Sequence, residues 1–292
     1  MSEIFVSSKN KVPSSFAHIG IITKYTFLDY FRSRRFFILL LIALLISGLL
    51  TVLVGYYRPD NFLASELDFY SSWWGNSVNF VIVLSGIFFG GDAIVGEFQN
   101  KTGYFGLPNP IRRSSVYIGK LIAAFSASTA ILGVFTLITI GNGMYYFGLN
   151  VPSQFLQSVL FAWFYLLAVL GFTFLFSSIF KSSTISTIVT AILFLFAFSL
   201  IQTLVSNLGE IEPWFILTYG AQIVGNVLNV PYPEHKVVTF FGPPGSAGSG
   251  LGRITLTTFN VQIPEGLIII GIYFIVTAIL GLIVFERKEF SG

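Results

Sequence analysis

Phe36-Phe-Ile-Leu-Leu-Leu-Ile-Ala-Leu-Leu-Ile-Ser-Gly-Leu-Leu-Thr-Val-Leu-Val-Gly-Tyr-Tyr57 runs for 22 residues without a charge. About 20 helical residues cross the hydrocarbon of a bilayer. Inside that layer a helix satisfies its own backbone, which an isolated strand cannot do. The stretch therefore reads as a membrane-spanning helix. Five further apolar runs follow, at 78–95, 121–146, 155–180, 184–205 and 267–285. Barrel strands would instead alternate over segments of about ten residues. The expected fold is an all-α integral membrane protein with six transmembrane helices over 36–285.

Composition agrees. Of 292 residues, 54% are hydrophobic and 10% charged, and the mean hydropathy is +0.80. A soluble domain carries about 25% charged residues, so a soluble enzyme is excluded. The 33 Phe, 13 Tyr and 4 Trp exclude a disordered chain. With no cysteine there is no disulfide, zinc-thiolate site or thiol nucleophile. Two His are too few for a His-rich metal site, so no metal is expected. The net charge of +3 carries no nucleic-acid signature.

The placement of that charge is more informative than its sum. Lys9, Lys11, Lys24, Arg32, Arg34 and Arg35 precede the first span, and Lys101, Arg112, Arg113 and Lys120 separate the second from the third. Lys181 lies between the fourth and fifth, and Arg287 and Lys288 follow the sixth. Only Arg58, Lys236 and Arg253 fall on the other side. By the positive-inside rule both termini are cytoplasmic, in the cell membrane. The first run starts too late, and lacks the small-residue cleavage site, for a signal peptide.

Segments 1–35 and 286–292 read as cytoplasmic tails. Within the first, Phe16 to Arg35 reads as an interfacial amphipathic helix, with Ile21, Tyr25, Leu28 and Arg32 on one stripe and Thr23, Thr26 and Tyr30 opposite. It carries the basic residues Lys24, Arg32, Arg34 and Arg35, and the chain turns into the membrane at Arg34-Arg35. A cytoplasmic loop spans 96–120. The loop 206–265 is extracytoplasmic, with a short helix expected over Trp214 to Leu228 and a flexible run from Gly242 to Gly252.

An energy source is missing. Gly245 to Gly250 has the G-x-x-x-x-G spacing, but Leu251 stands where a P-loop needs Lys. The middles of the spans hold no ionisable group for a proton relay. Their polar residues, such as Asn79, Ser85, Asn142, Gln157, Ser186 and Gln202, read as interhelical hydrogen-bonding groups. Gly86, Gly90 and Gly91 have the spacing that lets helices approach closely.

The segment from Asp92 to Lys120 carries the specific pattern. Glu97 and Thr102 form E-x₄-T; Pro110 follows eight residues later, Arg113 three beyond it, and then Gly119-Lys120. This spacing resembles the ABC-2 type permease family, the membrane subunits of ATP-binding-cassette exporters. Lys101 and Arg112 stand where the family usually has Gly and often Ser. The phrase from Lys24 to Phe36 is similar to the family's lead into the membrane. The resemblance implies a permease that couples transport to a separate ABC ATPase subunit, with ATP and Mg on that partner and no cofactor bound here. It implies a dimer with a second copy or a homologous permease. Glu97, Thr102, Leu107, Pro110, Arg112, Arg113, Gly119 and Lys120 would form the coupling loop. The aromatic run Phe194-Leu-Phe196-Ala-Phe198 would suit an apolar or amphipathic cargo. An ion-coupled carrier, a channel or a non-transporting scaffold remain the other readings.

Overall fold

The computed structural model describes residues 15–99, 112–241 and 254–288. Thr102, Leu107, Pro110, the Gly242–Gly252 run and the tails before Ser15 and after Lys288 lie outside the described residues.

The chain opens with α1 (Ser15–Arg32) and α2 (Arg34–Tyr57), separated by the single residue Ser33. Ser33 is extended, and its hydroxyl accepts from Phe36 N at 3.3 Å. That side-chain cap starts a new helix at once and turns the chain. Short helices α3 (Asp60–Leu63) and α4 (Glu66–Tyr70) lead through a π-helical turn, Ser71–Gly75, into α5 (Asn76–Gly90) and α6 (Val95–Gln99). Next come α7 (Arg113–Phe147) and α8 (Ser153–Ile179). The fifth span is α9 (Ser183–Ile192), a π turn at Leu193–Ala197, and α10 (Phe198–Leu208). Single-turn helices α11 (Leu217–Gly220) and α12 (Ile223–Asn226) follow. Strands β1 (Lys236–Phe241) and β2 (Ile254–Phe259) pair antiparallel before α13 (Ile263–Arg287).

Six helical segments among the described residues are long and apolar enough to cross a membrane. The protein is thus an all-α, multi-pass membrane protein, as its sequence leads one to expect. The second and fourth segments form the centre, 72% and 61% buried, whereas the fifth is 11% buried. α13 packs along α8, α5 crosses α8, and α1 lies along α7. At about 1.5 Å per residue the 35-residue α7 is about 52 Å long, well beyond the ~30 Å hydrocarbon layer. α1 packs against its first turns, near Gly119.

Three features differ from the sequence expectation. The second segment begins at Glu66, not near 78. Its early charges and hydroxyls read as loop, yet the same turns bury Phe69, Tyr70, Trp73 and Trp74 completely. Trp74 Nε1 donates to Ser158 Oγ at 2.8 Å, and Tyr70 packs on Phe155 with ring centroids 4.3 Å apart. The helix expected over Trp214 to Leu228 is replaced by the single turns α11 and α12, and Gly220 lies close against Ile269 of α13. The hairpin was unexpected. Its strands, Lys-Val-Val-Thr-Phe-Phe and Ile-Thr-Leu-Thr-Thr-Phe, are rich in β-branched and aromatic residues and flank a glycine-rich sequence, which is a legible hairpin signal.

Candidate functional site

The second span is interrupted at the end of the bundle where the basic residues gather. α5 stops at Gly90, residues 91–94 form turns, and α6 resumes at Val95. Such a break strands backbone groups that burial requires to be paired. Two neighbouring helices supply the partners. Ser177 Oγ of α8 accepts from Ile94 N at 3.0 Å and Val95 N at 3.1 Å. Lys120 Nζ of α7 donates to Ala93 O at 2.8 Å and to Glu97 Oε1 at 2.5 Å. The Lys120 and Glu97 side chains are only 13% and 28% exposed, so this ion pair is shielded more than a surface pair.

α1 is fastened to the same place. The Tyr30 hydroxyl donates to Phe89 O at 3.0 Å, and its ring lies 5.2 Å from that of Phe89. Burial, reinforced by Asp92, pushes the Tyr30 hydroxyl well above its ordinary pKa, so it remains a neutral donor. Arg35 at the start of α2 forms an ion pair with Asp92 inside the break. Thr23 Oγ1 donates to Gly119 O at 3.1 Å. A Cβ at Gly119 would come within 2.8 Å of Ile22, so the absence of a side chain is what lets α1 lie on α7. The face of α1 turned to the bundle thus carries Ile22, Thr23 and Tyr30, while Ile21 and Tyr25 of the expected apolar stripe are exposed. Lys24, Arg32 and Arg34 are exposed as well.

Cations also close two helix ends here. Arg113 Nη1 donates to Glu286 O at 3.0 Å and Lys288 O at 2.7 Å at the end of α13. Lys288 Nζ donates to Ser178 O at 2.9 Å and Phe180 O at 2.6 Å at the end of α8, and lies 4.7 Å from the centre of the Phe98 ring. Burial, with Lys181 nearby, lowers the Lys288 pKa. Last-turn carbonyls carry partial negative charge and lack intrahelical donors, so a cation meets both needs. Positive charge at this end of the bundle thus holds helix ends together. Arg112 precedes α7 and is exposed.

Gly86 and Gly90 of α5 face Val169 and Thr173 of α8 so closely that a Cβ at either would overlap them. A Cβ at Gly91 would meet Ile87 O at 2.6 Å and Thr187 Oγ1 at 2.9 Å. Glu97, Gly119, Lys120 and Arg35 therefore converge on one locus. Arg113 lies at the adjoining helix end, and Arg112 stands outside. Ser177 and Lys288 were not singled out from sequence. A lone serine in an apolar helix carries no signal of what it faces.

Between α1, the start of α2, the break and α7 lies an open cleft of about 600 Å³. Tyr25, Asp29, Arg35, Asp92, Glu97 and Lys120 are among its lining residues. This lining offers charges of both signs, phenolic hydroxyls and the hydroxyls of Thr26 and Ser33.

A family model described as ABC-2 family transporter protein matches residues 21–290. No curated protein sequence matches the chain.

Proposed function

Because the chain belongs to the ABC-2 transporter family, we propose that it is the permease subunit of an exporter whose coupling element is the segment between α6 and α7. Family membership makes it a membrane subunit and implies an ABC ATPase partner. Direction, cargo and the manner of coupling are the proposal.

The carrying observation is the broken second span. Lys120 and Ser177 join α6 to α7 and α8, while Arg35 and Tyr30 join the same break to α1 and α2. Force applied between α6 and α7 would pass to four helices at once. A docked ATPase would grip that segment, and ATP-driven closure would tilt the helices it is tied to. Coupling of this kind is a difference in contact free energy between two conformations. ATP and Mg would reside on the ATPase, and the cargo would be apolar or amphipathic.

A second permease copy would cover part of the apolar surface of the first and fifth spans, where Leu41, Leu45, Ile188, Phe196 and Leu200 are exposed. The rest would face lipid. Both termini would be cytoplasmic in the cell membrane.

The experiment is reconstitution of the permease with its ATPase in vesicles. The expected result is ATPase turnover stimulated by the permease and reduced about tenfold by Glu97→Ala, with the complex still isolated intact. Unstimulated turnover with the wild-type permease, or full coupling in the variant, would overturn the reading.

A further inference from the structure

At the opposite end of the bundle three side chains from separate segments converge. Glu212 lies in the link after α10, His235 immediately before β1, and Glu265 in the first turn of α13. One donor atom from each lies within 4.8 Å of the other two. His235 Nε2 is 3.4 Å from Glu212 Oε2. We propose that Glu212, His235 and Glu265 form a binding site for a divalent transition-metal ion, with Zn²⁺ the best fit.

Both carboxylates, and the backbone that carries His235, are held in place. The Tyr219 hydroxyl donates to Glu212 Oε1 at 2.5 Å, leaving Oε2 turned toward the imidazole. Glu265 accepts from Gln262 N at 3.4 Å. The backbone at His235 is fixed on both sides, since His235 O accepts from Asn260 N at 2.8 Å and Glu234 O accepts from the Asn260 side chain at 2.8 Å. Partners behind the ligands are what a metal site needs to orient them.

Two carboxylates share this space, and among the described residues no Lys or Arg forms an ion pair with either. The adjacent Lys236 is directed to Glu210 at 3.9 Å and over the Phe259 ring. One imidazole nitrogen and two carboxylate oxygens are borderline-to-hard donors, and the chain has no cysteine. That set suits Zn²⁺ rather than Cu(I). Tetrahedral ligands at 2.0–2.2 Å from zinc are about 3.3 Å apart. The Glu212–His235 separation of 3.4 Å matches, and all three donor atoms lie within 4.8 Å of one another. Water would complete the shell. A bound ion would tie the link after α10, the root of the hairpin and the start of the last span into one unit.

The test is calorimetric titration of Zn²⁺, and separately Mg²⁺, into the purified full-length chain after chelator treatment, with melting temperature read in parallel. One Zn²⁺ per chain is expected, with a raised melting temperature and far weaker Mg²⁺ binding. His235→Ala and Glu265→Gln each weaken Zn²⁺ binding at least about tenfold. His18→Ala, which removes the other histidine, leaves it unchanged. Glu265→Gln keeps the side-chain shape, so a loss there is not a loss of fold. Absence of stoichiometric Zn²⁺ binding, equal binding of Mg²⁺, or unchanged affinity in both site variants overturns the proposal.

Discussion

Lys120 reaches from α7 across the interrupted second span to join Glu97 at 2.5 Å and the carbonyl of Ala93 at 2.8 Å. One ammonium thereby neutralises a carboxylate and completes a carbonyl that the break in the helix leaves open.

Lys120→Met keeps the apolar stem and removes both bonds. The expected loss is about 1–3 kcal/mol, since a charged, partly buried hydrogen bond is being broken. Thermal melting in detergent measures it. In a double-mutant cycle with Glu97→Gln the losses should not add, because the two residues share one interaction. Additive losses would show that they act apart.

Ser177→Ala leaves the Ile94 and Val95 amides without the hydroxyl that both now share. An unpaired buried donor costs about 1–3 kcal/mol. Hydrogen exchange at these two amides should accelerate, while exchange in the middle of α8 stays slow. Unchanged protection would mean that the break does not depend on Ser177.

Gly86→Ala should destabilise the α5–α8 contact by about 1–3 kcal/mol through overpacking. The added methyl meets Val169 Cγ1. Val169→Ala removes that atom, so Gly86→Ala/Val169→Ala should regain part of the melting temperature. Gly48→Ala, at a glycine with open space around it, should be neutral or slightly stabilising.

Arg112 and Arg113 are neighbours with different surroundings. Arg113 holds the last carbonyls of α13, whereas Arg112 is exposed. Arg113→Ala should speed hydrogen exchange and proteolysis in the last turn of α13. Arg112→Ala should leave that turn protected and weaken retention of the ATPase at raised salt, as expected of an exposed docking charge. Identical effects from the two variants would contradict the assignment.

The two levels of description were legible to different degrees. Phe36 to Tyr57 could only be a spanning helix, because an uncharged run of that length has no stable place in water. Glu97, Gly119 and Lys120 stood out by spacing, and the structure brings them to one locus with Arg35. Glu66 to Gly75 did not read as part of a span. Its carboxylates and hydroxyls mask four aromatic rings whose burial depends on partners more than 60 residues away, such as Phe135 and Phe155. Ser177 and Lys288 act through distant backbone groups, and no local pattern encodes such a partner.

Length, apolar content and the placement of Lys and Arg are properties of the chain itself. From them follow the membrane class and the number of spans, because the transfer of side chains between water and hydrocarbon is nearly additive along a sequence. Which carbonyl Lys120 completes, which helix end Arg113 closes, and that Glu212, His235 and Glu265 meet at all are decided by packing. These contacts join segments tens to more than a hundred residues apart, and each exists only once the helices have chosen their neighbours.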